Sequence, residues 1–232
     1  MKIRSIFFCI FIIFGFFSCQ KNDFNYPAGT VGSSKIIYFP SIATIGSKVV
    51  AFVQGSAYTD QGATATLNGT TATYTTNPMI TSSTAPGVYD VIYTAANAQG
   101  FTASDFRVVV VIPSSMASDP VVSSHDFSGT YTRAATGATS TWTKIGPGTY
   151  TVENVGGATS GVGLIGIAEN TSGFNIVIPP QTSPYYGGTI STSDKSSDPG
   201  GTPVTYNPGP PAHYAWEFNA PNYGTSVRTF SE

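Results

Sequence analysis

The stretch PGVYDVIYTAANAQGFTASDFRVVVVI, residues 86–112, decides the fold of this chain. Apolar and polar residues alternate over residues 88–95, and residues 101–112 form a second strand-like run that ends before Pro113. Gln99 and Gly100 supply the turn between the two runs. A period of two is typical of a strand with one buried face. The stretch therefore predicts two antiparallel strands joined by a tight turn.

Shorter runs of the same kind lie before this stretch, at residues 35–39, 48–53, 63–67 and 71–76. Asn68 and Gly69, between the last two runs, are a strong signal for a two-residue hairpin. Six or so short strands in about eighty residues, separated by turn residues, are the pattern of a β-sandwich.

Three motifs in this region carry a family resemblance. YTDQGA (residues 58–63), PGVYDVIY (86–93) and RVVV (107–110) occur in this order. They resemble the repeats of bacterial surface Ig-like domains, and the resemblance spans residues 34–113. It implies an Ig-like β-sandwich.

Two positions inside this resemblance carry expectations. Tyr89 follows the Pro86–Gly87 corner, where the family resemblance implies a tyrosine whose hydroxyl bonds to nearby backbone. Asn97 stands where the family usually has aspartate, so no calcium is expected at this turn.

Residues 114–124 are small, polar and include Pro120, which predicts an interdomain linker before a second domain at residues 125–232. The second domain also alternates, which predicts an antiparallel meander closed into a β-sandwich or a small barrel. Two long breaks, residues 179–188 and 193–211, are rich in Pro, Gly, Ser and Tyr and predict loops that are functional or mobile. The expected class is therefore all-β, an Ig-like sandwich followed by a second β-rich domain.

The N-terminus predicts export. A basic tip with Lys2 and Arg4 precedes an apolar run at residues 6–17, and Ser18–Cys19 follow at once. This order is typical of a secretory signal, here residues 1–18. It resembles the lipobox of bacterial lipoproteins, which implies acylation of Cys19 and a polar tether at residues 19–33. The alternative is a plain secreted protein in which Cys19 is incidental.

Composition excludes several classes. Charged residues make up 9% of the 232 residues, the net charge is −2, and lysine and arginine form no cluster, which argues against nucleic acid as a partner. Cys9 and Cys19 are the two cysteines, and Cys9 lies in the segment expected to be removed. No mature disulfide or cysteine metal site is therefore expected. No cofactor is predicted either.

Candidate catalytic groups are few. His125 and His213 are the two histidines, and no Gly-x-Ser-x-Gly motif accompanies them, so an enzyme is not predicted. Asp194 and Asp198 have a spacing that suits a polar loop as well as a weak calcium site, and no metal is predicted.

Aromatic residues are the better candidates for a site. Alternation places Tyr214, Trp216 and Phe218 on one buried strand face. The candidates for stacking on sugar rings are Tyr185, Tyr186 and Tyr206 in the long breaks, and Trp142, whose alternation favours the core. Tyrosines that fix their own loops are an equal alternative.

The order of an Ig-like unit and a β-rich unit after an acylated cysteine is similar to accessory glycan-binding lipoproteins of Bacteroidetes starch-utilisation-type systems. This resemblance implies a non-catalytic lipoprotein on the outer membrane, facing the cell exterior. Its expected partners are a polysaccharide or oligosaccharide, outer-membrane lipid through Cys19, and an importer complex. The alternatives are a structural or adhesive surface protein without a glycan ligand, and a hydrolase that uses His213.

Overall fold

The structure of the protein, a computed structural model, describes residues 27–31, 34–159, 165–172, 174–183, 187–193 and 206–232. The chain divides into two compact units, Met1–Tyr38 and Phe39–Glu232. In the described part of the first unit, β1 (Thr30–Val31) and β2 (Ser34–Lys35) pair antiparallel. The described part of the second unit contains the other strands and two short helices, and the prediction of an all-β fold is confirmed.

The N-terminal part of the second unit contains two sheets that pack against each other. The strands of the first sheet, in spatial order, are β3 (Pro40–Thr44), β5 (Ala63–Leu67) and β6 (Thr70–Thr71). The strands of the second sheet, in spatial order, are β4 (Val49–Val53), β9 (Thr102–Ile112), β8 (Gly87–Ala96) and β7 (Tyr74–Asn77). β4 and β9 run parallel, whereas the other neighbours are antiparallel. Side chains of both sheets share one core cluster, so this part is a sandwich.

The quoted stretch forms the predicted hairpin. β8 pairs with β9 from Gly87↔Val111 to Ala96↔Thr102, and alternate residues of β8, including Val91 and Tyr93, are buried. The Asn68–Gly69 hairpin is also confirmed, since both residues have positive φ and β5 pairs with β6 across them. The Tyr89 hydroxyl donates to the Ala85 carbonyl at 2.8 Å, as expected for a tyrosine corner, whereas the ring, which was expected to be buried, is half-buried.

The described residues between 129 and 231 form a nine-stranded antiparallel sheet, curled into a half-barrel. Its strands in chain order are β10 (Gly129–Arg133), β11 (Thr139–Gly146), β12 (Thr149–Glu153), β13 (Ile165–Ser172), β14 (Asn175–Val177), β15 (Gln181–Ser183), β16 (Gly188–Ser193), β17 (His213–Ala220) and β18 (Gly224–Ser231). Their spatial order is β14-β13-β12-β11-β10-β18-β17-β16-β15. Two meanders are therefore joined where β10 pairs with β18.

Aromatic side chains fill the core of the half-barrel. Tyr214, Trp216 and Phe218 are fully buried on β17, which confirms the face predicted from alternation. They belong to one cluster with Tyr131 and Trp142. The half-barrel is thus built around ring contacts, which bury large areas without needing charged partners.

Residues 114–124, predicted as a linker, form two short helices, α1 (Ser114–Ser118) and α2 (Pro120–Ser124). Asp119 caps α2, because its carboxylate accepts from the Val121 amide at 2.8 Å. Pro120 occupies the first helical turn, where its missing N–H costs no hydrogen bond.

The helices pack into a junction between the sandwich and the half-barrel. Met116 of α1 and Val122 of α2 are buried in one cluster with Val110 and Ile112 of β9 and with Ile167 of β13. Residues of all three parts therefore share one apolar core. The division into two separate domains at residues 34–113 and 125–232 stays a prediction.

Candidate functional site

A cleft of about 400 Å³ lies where β8 of the sandwich approaches the β15–β16 hairpin of the half-barrel. Its lining residues are Pro78, Val88, Tyr89, Asp90, Pro180, Gln181, Thr182 and Thr189. Both sheets contribute to it. The cleft therefore depends on the apolar junction that holds the two sheets together.

The half-barrel wall of the cleft presents a pair of hydroxyls. Thr182 of β15 and Thr189 of β16 are direct cross-strand partners, and both are exposed. Partners in an antiparallel pair project to the same face of a sheet. The two side chains therefore form one small polar surface.

Asp90 supplies the charge of the cleft. It lies on the outward face of β8. Its neighbours in the strand are Tyr89, which is half-buried, and Val91, which is fully buried. Its carboxylate makes no hydrogen bond or ion pair in the part of the chain that the structure describes. Burial raises the pKa of Asp90, because the ionised form is partly removed from water. The cleft thus contains a partly desolvated carboxylate that has no partner among the described residues.

Gln181 fixes the position of β15 and leaves little of its amide for a ligand. Its Oε1 accepts from the Ile167 amide at 2.7 Å, and its Nε2 donates to the carbonyls of Ile167 at 2.8 Å and Pro179 at 3.0 Å. Both donors of the Gln181 amide and one acceptor position of its oxygen are therefore occupied within the protein.

The structure corrects two of the candidates for sugar stacking. Trp142 is 2% exposed, and its indole Nε1 donates to the Tyr214 hydroxyl at 2.9 Å. Tyr206 is 7% exposed, stacks on Phe127 with ring centroids 4.2 Å apart, and accepts a hydrogen bond from the Tyr131 hydroxyl. Both belong to the half-barrel core cluster, so neither offers a ring face to solvent. Both rings can pack in the core because the indole N–H of Trp142 and the hydroxyl of Tyr206 each have a buried hydrogen-bond partner.

The other predicted site residues lie outside the described residues. They are Cys19, Tyr185 and Tyr186, together with the loop carboxylates Asp194 and Asp198. In the sequence, Tyr185 and Tyr186 lie between Thr182 and Thr189.

The two histidines lie apart from the cleft lining. His213 is exposed at the start of β17, with its Nδ1 3.0 Å from the Pro211 carbonyl. His125 is half-buried, and its ring lies 4.2 Å from that of Phe174. Neither histidine pairs with a carboxylate in the described residues. In the same residues, no group of three or more His, Cys, Asp or Glu side chains is arranged to hold a metal ion.

A second depression, of about 300 Å³, lies beside the β10–β11 turn and the end of β12. Its Asn154 amide is saturated by the Thr139 carbonyl and by both backbone groups of Ala158. Its Glu153 is exposed. Because the buried amide of Asn154 is fully hydrogen-bonded and Glu153 is exposed, the described lining of this depression offers no desolvated polar group without a partner, and the cleft at Asp90 is the stronger candidate.

Comparisons with known proteins add a structural likeness. No model of a protein family and no curated protein matches the sequence. The structure is similar to the crystal structure of the lipoprotein BT2262 from Bacteroides thetaiotaomicron, at 17% sequence identity and a TM-score of 0.42. The similarity covers 84% of this chain and all of that one. None of the helices in the described residues has the length and hydropathy needed to cross a bilayer.

Sequence reasoning missed Asp90 and the Thr182–Thr189 pair. The alternation of the PGVYDVIY motif places Asp90 on the outward strand face, which was the available signal. The threonine pair had no comparable signal, because β15 has three residues and lies in a stretch predicted as a loop.

Proposed function

We propose that this protein is a non-catalytic lipoprotein of a bacterial outer membrane, anchored through Cys19 and facing the cell exterior, that binds glycan in the cleft at Asp90. The carboxylate of Asp90, which is partly desolvated in the cleft and has no partner among the described residues, carries the proposal. A carboxylate with two acceptor oxygens suits the hydroxyl groups of a sugar. The hydroxyls of Thr182 and Thr189 add further donors and acceptors on the opposite wall.

The anchor is proposed from the sequence. The basic tip, the apolar run at residues 6–17 and Ser18–Cys19 stand in the order that precedes acylation in lipoproteins. An apolar run of about a dozen residues is shorter than the roughly 20 needed to span a bilayer. Removal of residues 1–18 and acylation of Cys19 account for the order of these segments and for the short length of the apolar run.

Binding is favoured over hydrolysis by the number of carboxylates. Most glycoside hydrolases use a pair of carboxyl groups flanking the bond to be broken. Asp90 is the single carboxylate among the described lining residues. The cleft thus has the groups to hold a sugar and lacks, in its described lining, the pair that hydrolysis needs.

Tyr185 and Tyr186 remain candidate stacking residues in this proposal. They follow Thr182 and precede Thr189 in sequence, and both threonines line the cleft. A starch-utilisation-type importer complex is the proposed physiological partner, which would receive the bound glycan.

The alternative is a structural or adhesive surface protein. Ile92 and Phe106 are direct cross-strand partners on the outward face of the sandwich, and they are 44% and 47% exposed. Apolar side chains side by side on a sheet surface are typical of a protein contact. This surface favours adhesion as the second candidate.

Affinity electrophoresis against a panel of polysaccharides tests the proposal. The probe is the mature chain without its anchor, residues 20–232. We expect retardation by at least one glycan, weakened in the double variant Tyr185→Ala/Tyr186→Ala. Retardation by none would favour the adhesive alternative. Release of reducing sugar that disappears in His213→Ala would establish a hydrolase instead.

A further inference from the structure

The charge around Asp90 is uncompensated. No lysine, arginine or histidine is among the described residues that line the cleft. Two cations of the sandwich are engaged elsewhere, since Arg107 pairs with Asp60 and Lys48 pairs with Asp105. Asp90 therefore gives the described cleft a negative charge without a cation beside it.

This arrangement costs the free protein stability. A carboxylate that is partly removed from water and receives no hydrogen bond disfavours the folded state when it is ionised. Asparagine has nearly the same shape and carries no charge, so it would serve the fold better at this position. Among the described residues the fold gives this carboxylate no partner, which leaves its two oxygens available to a molecule in the cleft.

We infer that the cleft accepts uncharged sugars, which donate two hydroxyl hydrogens to Asp90, and rejects sugars that carry carboxylate or sulfate groups. This inference rests on the proposed function and names the ligand class of the same site. Two neighbouring hydroxyls on a sugar ring match the two acceptor oxygens of a carboxylate. An anionic sugar would bring a like charge beside Asp90, where the described lining offers no cation to offset it.

The test compares neutral with acidic polysaccharides as probes for residues 20–232. The neutral probes are amylopectin, xyloglucan and yeast mannan, and the acidic probes are polygalacturonate, alginate and chondroitin sulfate. We expect retardation by at least one neutral probe and by none of the acidic probes. Asp90→Asn should weaken binding of the neutral probe about tenfold or more, the loss expected for one hydrogen bond to a charged group.

Glu153→Gln is the matched control. This variant also removes one negative charge, but from an exposed position in the second depression. The affinity of the Glu153→Gln protein for the neutral probe should equal that of the unchanged protein. The midpoint of thermal unfolding separates binding from a structural role. It should stay the same or rise in Asp90→Asn, because the variant loses a charge that is partly removed from water and has no partner among the described residues.

Each other outcome overturns a defined claim. Equal retardation by neutral and acidic probes overturns this inference and leaves the proposed function standing. Retardation by no probe overturns both. Unchanged affinity in Asp90→Asn, or a lowered unfolding midpoint in that variant, overturns the assignment of Asp90 as the residue that binds the sugar.

Discussion

The side chain of Gln181 completes the backbone hydrogen bonding of Ile167. Its Oε1 accepts from the Ile167 amide at 2.7 Å, and its Nε2 donates to the Ile167 carbonyl at 2.8 Å. Gln181 lies on β15 and Ile167 on β13, two strands that do not pair directly. The amide thus takes the place of a paired strand and ties the cleft wall to the apolar junction that contains Ile167.

Replacing Gln181 with alanine should destabilise the protein. The variant leaves the buried N–H and C=O of Ile167 without partners, which should lower the free energy of unfolding by about 2–4 kcal/mol. Urea denaturation measures this loss. Gln99→Ala is the control, since Gln99 lies exposed in the β8–β9 turn and should cost less than about 0.5 kcal/mol. A loss for Gln181→Ala as small as that of the control would contradict the role.

Asp60 and Arg107 form the buried ion pair of the sandwich. Arg107 is 1% exposed; its guanidinium binds Asp60 and the Ile45 carbonyl, and its Nε donates to the Ser47 carbonyl at 2.9 Å. Asp60→Ala leaves a buried cation without its counter-ion, so we expect a loss of about 3–5 kcal/mol in chemical denaturation.

The pair between Lys48 and Asp105 provides the comparison. The Lys48 side chain is 54% exposed, and exposed pairs contribute about 0–1 kcal/mol. Lys48→Ala should therefore cost no more than about 1 kcal/mol. Equal losses for Asp60→Ala and Lys48→Ala would show that burial does not set the difference.

Glu169 should make stability fall as the pH rises. It is buried on β13 and makes no hydrogen bond or ion pair with the residues that the structure describes. Burial raises the pKa of Glu169. Because its pKa is raised in the folded state, the contribution of Glu169 to stability is complete below the pKa that it has in the unfolded chain. This contribution is lost as the pH rises through the pKa that Glu169 has in the folded protein. Glu169→Gln should therefore raise the thermal midpoint at neutral pH and change it little near pH 4, as differential scanning fluorimetry would measure.

Asp105 provides a control of opposite sign. Its hydrogen bond with Lys48 lowers the pKa of Asp105, with Thr44 contributing further hydrogen bonds. Its contribution is present above the pKa of the unfolded chain and is lost on acidification. Asp105→Asn should lower the thermal midpoint at neutral pH, and the difference should shrink in acid. The same sign in both variants would refute this assignment.

Local signals explain how much of the fold was predictable. The β8–β9 hairpin and the buried face of β17 follow from alternation, and the Asn68–Gly69 turn follows from its dipeptide. Asp119 followed by Pro120 is also a helix-start signal, but the small, polar composition of residues 114–124 favoured a linker. By contrast, the Gln181–Ile167 contact, like the burial of Tyr206, joins segments separated in the chain. Such contacts depend on how the sheet curls, which no local pattern reports.

Gly148 tests the packing of residues 114–124. It has a φ of +58°, and a Cβ there would lie 2.5 Å from Val122 Cγ1, 2.9 Å from the Asn170 carbonyl oxygen on β13 and 3.1 Å from Met116 Sδ. The backbone of β13 is fixed by its sheet, so the side chains of the two helices are the atoms that must give way. Gly148→Ala should displace the two helices from the junction. Limited proteolysis should then cut within residues 114–124 in the variant, while the unchanged protein resists there because Met116 and Val122 are buried.

Gly137→Ala separates the two causes of damage. Gly137 has a similar φ of +69°, and a Cβ there would meet nothing within 4 Å. This variant carries the backbone strain without the collision, so it should keep the protease resistance of the unchanged protein. Cleavage of the unchanged protein within residues 114–124 would instead support the exposed linker expected from the sequence.

Cys19 should carry the membrane anchor. If Cys19 is acylated, cells grown with an alkyne analogue of palmitate should label the protein, and Cys19→Ala should abolish the label and release the protein from the detergent-soluble membrane fraction. Cys9→Ala is the matched control, because Cys9 lies in the same N-terminal segment, ten residues earlier, inside the apolar run. It should leave labelling and fractionation unchanged, since the segment that contains it is expected to be removed. Label retained in Cys19→Ala would contradict the anchor and favour a secreted protein. Protease treatment of intact cells tests display separately, because a protein on the cell exterior is digested whereas one facing the periplasm is protected.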